Sequence, residues 1–208
     1  MSWYQELSWE EKKTIAHIDD EILNRAVIID FEGPKIGAPE LVGYLKNGHF
    51  KTIFLNETFK TCKPRYSADC MSLEDFTQQI LHDINVESRF IIGYTPREAD
   101  VLLGYLQGSP AHWYKDAHKY FKKNVFHRKA DKPEDWSLDG ILKFYNIHKT
   151  FYGDRKISSY IQYAKKDLQK KEDFSSITKA SKTKLSKAVN YNKEDVNCLF
   201  RAIEISLK

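Results

Sequence analysis

The segment Arg25-Ala26-Val27-Ile28-Ile29-Asp30-Phe31-Glu32-Gly33 sets an apolar run against two acids one residue apart. A fully buried strand reads this way as far as Ile29. Strand side chains alternate between faces, so Asp30 and Glu32 would stand side by side on one of them. Like charges that close repel, and a cation between them relieves the repulsion. A polar strand end leading into a turn would use the same letters, so the pair gains meaning only if further acids join it.

Two other places offer such acids. Phe90-Ile91-Ile92-Gly93-Tyr94 reads as a second buried strand and feeds Thr95-Pro96-Arg97-Glu98. A Thr cap, Pro at the first helical position and Glu at the third make a well-formed helix start. Glu98 is in phase with Leu102 and Tyr105, and Asp100 with Leu103 and Gln107. Glu98 is therefore the expected ligand and Asp100 the alternative, although Glu98 also fits the capping-box position opposite Thr95. Late in the chain, Tyr191 and Asp195 lie four apart on one helical face, and Asp195 shares a stripe with Leu199 and Ala202. An acid in line with an apolar stripe is out of place in a purely structural helix.

The expected ligand set is Asp30, Glu32, Glu98 (or Asp100) and Asp195. Hard oxygen ligands without a His or Cys cluster suit Mg²⁺ or Mn²⁺ better than zinc. Four converging carboxylates would hold two such ions roughly 4 Å apart, the arrangement for in-line attack on a phosphodiester. The Tyr191 hydroxyl could orient the attacking water.

The elements that must position these residues follow from patterning. Ser8-Trp9-Glu10-Glu11 has the capping-box form, and Trp9 to about Asn24 reads as one amphipathic helix with Trp9, Ile15, Ile18, Ile22 and Leu23 inward. Residues 1–24 are expected to form an arm on a main domain spanning 25–208. After the Gly/Pro-rich turn of residues 33–39, residues 40–45 and 50–55 read as strands joined through Asn47-Gly48, a strong hairpin signal. With the first strand they predict a three-stranded antiparallel meander. Residues 56–72 read as loop, 73–85 as a helix, and the helix opening at Pro96 as continuing through Leu106. Strands alternating with helices predict an α/β fold with a mixed sheet.

Residues 111–135 interleave bases and aromatics, among them Trp113, Tyr114, Lys119, Tyr120, Lys123 and Arg128. They read either as a surface for a nucleic-acid backbone and its bases or as a helix with a solvated lysine face. A short helix is expected over 135–145 with a turn at Asn146. The Lys-rich stretch 163–187 reads as a loop or solvated helix, and the last helix as starting near Asn190.

With 208 residues, 41% hydrophobic and 13% aromatic, the chain can build a substantial core. A net charge of +4 permits a polyanionic partner without demanding one. Cys62, Cys70 and Cys198 have no C-x-x-C spacing, which argues against a disulfide framework or a zinc site. The first residues do not read as a signal peptide, and no apolar stretch approaches the ~18 residues of a membrane span. The expectation is an intracellular, cytoplasmic protein without a membrane partner.

An apolar strand ending in Asp-x-Glu, an acid on the helix after a mid-chain strand, and a late Tyr-x-x-x-Asp together resemble the DEDD-type 3′–5′ exonucleases. The match is to the Tyr-bearing (DEDDy) subgroup of the ribonuclease H-like superfamily. The resemblance covers about residues 25 to 207 and takes in Leu41-Val42-Gly43-Tyr44, Asn47-Gly48 and Trp136-Ser137-Leu138 through Ile147. Where that family usually shows His-Asn-x-x-Phe-Asp, this chain has Gly93-Tyr94-Thr95-Pro96-Arg97-Glu98. The resemblance implies a ribonuclease H-like fold with a mixed central sheet flanked by helices. It also implies two-metal-ion hydrolysis of phosphodiester bonds from the 3′ end of DNA or RNA, with a single-stranded 3′ end as partner. Asp30, Glu32, Glu98, Tyr191 and Asp195 would be the catalytic set. Two alternatives stay open: a weak or inactive module of the same fold that binds nucleic acid or a protein, and an endonuclease acting on junctions or hybrids.

Overall fold

The computed structural model describes residues 3–34, 37–127, 129–150 and 156–208. Helix α1 (Trp3–Glu6) precedes α2 (Trp9–Ile15), whose capping box pairs Ser8 with Glu11. The single helix expected to Asn24 is broken. Asp19 accepts from the Ile22 amide and starts a separate α3 (Asp20–Asn24), because an Asp cap satisfies orphan amides better than continuing the first helix would. Ile15, Ile18, Ile22 and Leu23 are buried as expected, but Trp9 is 66% exposed and lies under the Lys13 ammonium instead.

Strand β1 (Ala26–Glu32) pairs antiparallel with β2 (Leu41–Lys46), which pairs antiparallel with β3 (His49–Phe54). Asn47 and Gly48 both take positive φ, 53° and 75°, so the Asn-Gly turn forms where its letters placed it. Residues 56–72 are more ordered than a loop. They hold a 3₁₀ segment (Glu57–Cys62), α4 (Lys63–Tyr66) and a two-residue β4 (Asp69–Cys70) paired parallel with β3.

Helix α5 (Leu73–Asn85) leads to β5 (Phe90–Gly93), parallel to β1. Helix α6 (Pro96–Leu103) stops before Leu106. A strand not foreseen, β6 (Tyr114–Asp116), adds parallel to β5, and α7 (Ala117–Tyr120) and a π-helical turn (Phe121–Val125) follow. Here Trp113, Tyr114, Lys115 and Tyr120 are buried, so these aromatics belong to the core and offer no stacking surface; Arg128 lies outside the described residues.

Helix α8 (Leu138–Phe144) is capped by Ser137, and Asn146 turns the chain at φ 54°. The Lys-rich stretch expected as a loop is helical: it spans most of α9 (Ile157–Lys171) and the start of α10 (Lys179–Ser206). Thr178 caps α10, which begins eleven residues before the expected start, and Leu185, Ala188 and Val189 form a buried face within what reads as a polar run.

The result is an α/β architecture with one six-stranded mixed sheet in the order β4-β3-β2-β1-β5-β6. Even-numbered β1 residues such as Ile28 face a cluster with Ile141, Leu142, Val196, Leu199 and Ala202 of α8 and α10. Odd-numbered Val27, Ile29 and Phe31 face Phe76, Ile80, Ala99 and Leu102 of α5 and α6. Helices therefore cover both sides, and the alternation of β1 sends Asp30 and Glu32 towards α10. Helix α9 packs over the 3₁₀ segment and the first half of α10, and its Lys165 holds the buried Glu40 at 2.6 Å. No helix among the described residues is long and apolar enough to cross a membrane.

Candidate metal centre

Asp30 and Glu32 sit at the end of central strand β1, and Asp195 sits mid-way along α10, which crosses that strand end. Their carboxylates each bring an oxygen within 4.8 Å of the others'. This is the pairing expected from the Asp-x-Glu spacing and the helical stripe. Burial lifts all three acids above the usual carboxylate range. Glu98 next most strongly lifts Asp30, and Asp30 itself lifts both Glu32 and Asp195. Three mutually repelling acids in a half-buried pocket, all with hard oxygen donors, fit a small divalent cation.

A close approach of backbones makes this possible. Gly43 stands opposite Asp30 in the β1–β2 register. A Cβ at Gly43 would lie 2.4 Å from Asn192 Oδ1 and 2.8 Å from Val196 Cγ2. With only hydrogen there, α10 settles onto the sheet, and the Asn192 amide donates to the Asp30 carbonyl at 2.9 Å and to Asp30 Oδ2 at 2.7 Å. Asn192 is fully buried, and its Oδ1 has no hydrogen-bond partner.

Glu98 is 3% exposed and lies near enough to Asp30 to raise it. It keeps its capping duty, accepting from the Thr95 amide at 3.1 Å and the Thr95 hydroxyl at 3.0 Å. Burial pushes it up to about 7, the Thr95 bonds opposing. Gly93 makes room for it, since a Cβ there would meet Glu98 Cγ at 2.8 Å. The structure thus sets Glu98 beside the three-acid group but not within it. Asp100 is exposed on α6 next to Trp3 and is not brought to the pocket.

Tyr191 lies one turn before Asp195. Burial and the Asp195 charge raise its phenol well above the ordinary value, so it stays neutral. Two cations reach the site that spacing arguments missed. Arg97 donates to the Pro34 carbonyl at 3.1 Å and lowers both Asp30 and Glu32. Lys149, just after α8, has a fully buried side chain; it pairs with Asp195, and with Asp139 at 2.7 Å. Burial opposes its charge, but Asp195 and Asp139 prevail and raise it above the ordinary lysine value. Its ammonium also stands 4.6 Å from the Tyr191 ring centre. Asn192 could have been suspected as a polar residue three before Asp195 on the apolar stripe. Lys149, between His148 and Thr150 in a polar run, carried no signal.

A second acidic group, His82, Asp83 and Glu87, is already served by Lys46, which meets Asp83 at 2.7 Å and Glu87 at 2.5 Å. Comparison with known proteins finds no matching family model, curated protein or solved structure.

Proposed function

We propose that this chain is a metal-dependent nuclease of ribonuclease H-like fold that removes nucleotides from a 3′ end. The observation that supports it most is the convergence of Asp30, Glu32 and Asp195 at the end of the central strand. The sheet agrees with the fold: an antiparallel meander through β1, with β5 and β6 added in parallel.

Asp30, Glu32 and Asp195 would hold Mg²⁺ or Mn²⁺, with Glu98 at the margin. The bound metal would supply a water acidic enough to act as a nucleophile near neutral pH and a positive charge for the phosphate oxygens. The chain's own residues do the rest. Tyr191, neutral and one turn from Asp195, would orient the attacking water. Asn192 holds Asp30 in its rotamer, and Arg97 tempers the repulsion among the acids. The water oxygen bonds to phosphorus, the bond to the 3′ oxygen of the penultimate nucleotide breaks, and that oxygen takes up a proton.

The test is cleavage of a 3′-end-labelled single-stranded DNA and the matching RNA with Mg²⁺ or Mn²⁺. Loss of cleavage in Asp30→Asn and Asp195→Asn supports the reading. Activity unchanged in both would sink it. Blocking the 3′ end separates exonucleolytic from endonucleolytic action.

The commitment of Glu98 to Thr95 favours a second reading, a module that binds nucleic acid without cutting it. Oligonucleotide binding without turnover at any metal concentration would select it.

A further inference from the structure

A buried lysine among acids stays charged only because carboxylates surround it, and among the described residues Lys149 meets two of them on different elements. Asp139 approaches from the first turn of α8, and Asp195 from the middle of α10. The Tyr191 ring centre lies 4.6 Å from the same ammonium. The ammonium is thus held on one oxygen of Asp195, while Asp195 is also one of the three acids whose oxygens converge with Asp30 and Glu32. Two cations on the same carboxylate repel, and the lysine is tethered by its own backbone. Asp195 is thus shared between the lysine on one side and the two strand-end acids on the other.

We propose that Lys149 is a built-in cation of this centre: its ammonium fills one of two positive positions, so the chain takes up a single divalent ion between Asp30, Glu32 and Asp195. This rests on the metal-dependent reading above. It makes Lys149 a positioning residue that orients Asp195 and supplies a fixed charge where a second ion would otherwise sit. Asp139, in turn, helps to fix the lysine.

The test counts ions rather than turnover. Mn²⁺ is titrated into the metal-free protein, followed by calorimetry and by the electron paramagnetic resonance of free Mn²⁺, for the wild type, Lys149→Met and Lys149→Arg. One ion per wild-type chain and two per Lys149→Met chain support the proposal. Two ions in the wild type, or one in folded Lys149→Met, overturn it. If Lys149→Met does not fold, Lys149→Arg decides: one ion supports a fixed cation at this position, and two overturn it. A wild type that binds no Mn²⁺ at all overturns the metal-centre reading and this proposal with it. A wild type that binds two leaves the metal centre standing.

Discussion

At the scale of single residues, the site is governed by acids that burial and mutual repulsion raise together, with Arg97 and Lys149 opposing. Asp30, Glu98 and Asp195 are raised, Glu98 to about 7, so the native state keeps protons that the unfolded chain releases near pH ~4. Native protein then binds more protons than unfolded protein between those limits, and stability falls as pH rises through that window. The metal-free protein should melt at progressively lower temperature from pH 5 to pH 8, and Glu98→Gln should flatten the trend. Under the metal-dependent reading, Mn²⁺ should reverse it, because only ionised carboxylates bind metal. Asn192→Ala removes the amide that orients Asp30, and such supporting contacts are worth roughly 10–100-fold in metal affinity. A Mn²⁺ affinity unchanged by this substitution would show that Asp30 needs no help. Asp30, Glu32, Tyr191 and Asp195 were all legible, because strand alternation and helical phase are local rules. Lys149 and Arg97 were not, because what makes each significant is a neighbour distant in sequence.

At the scale of elements, the two glycines under the site matter as much as the acids. Gly43→Ala puts a methyl group against Asn192 and Val196, so α10 must lift or the strand must shift. Overpacking of this kind costs about 1–3 kcal/mol, readable as a lower urea midpoint, and Mn²⁺ affinity should fall with it. A variant of wild-type stability and affinity would mean that α10 has slack the close packing hides. The elements themselves were unevenly legible. The meander, α5 and the start of α6 follow from alternation, an Asn-Gly turn and complete capping boxes. β6 was missed because three residues inside a run of bases and aromatics show no alternation. The early start of α10 was missed because its buried face up to Val189 is made of widely spaced small or aliphatic residues among lysines.

At the scale of the molecule, lysines and tyrosines meet on one helical face. Lys184 stands 3.3 Å from the Tyr163 ring centre and Lys187 stands 6.0 Å from that of Tyr160, on the face shared by α9 and α10. Lys187 is one turn before Tyr191. Under the nuclease reading, a single-stranded oligonucleotide should bind Asp30→Asn protein with an affinity that falls with salt, by a log–log slope of about −0.7 per phosphate neutralised. Replacing Lys184 and Lys187 together by Glu should make that slope shallower by about 1.4, about 0.7 for each lysine, as measured by fluorescence anisotropy. An unchanged slope would move the track elsewhere on the surface.

The bond from Asn192 to Asp30 joins residues 162 positions apart. Contacts that close so long a stretch of chain tend to be late ones in folding, since the ordering entropy of everything between must be spent first. The centre would therefore be among the last features to assemble and among the first to come apart when α10 detaches from the sheet. An ion shared between β1 and α10 would act there as a kinetic clasp, slowing release of the helix and leaving the rate of chain collapse unchanged.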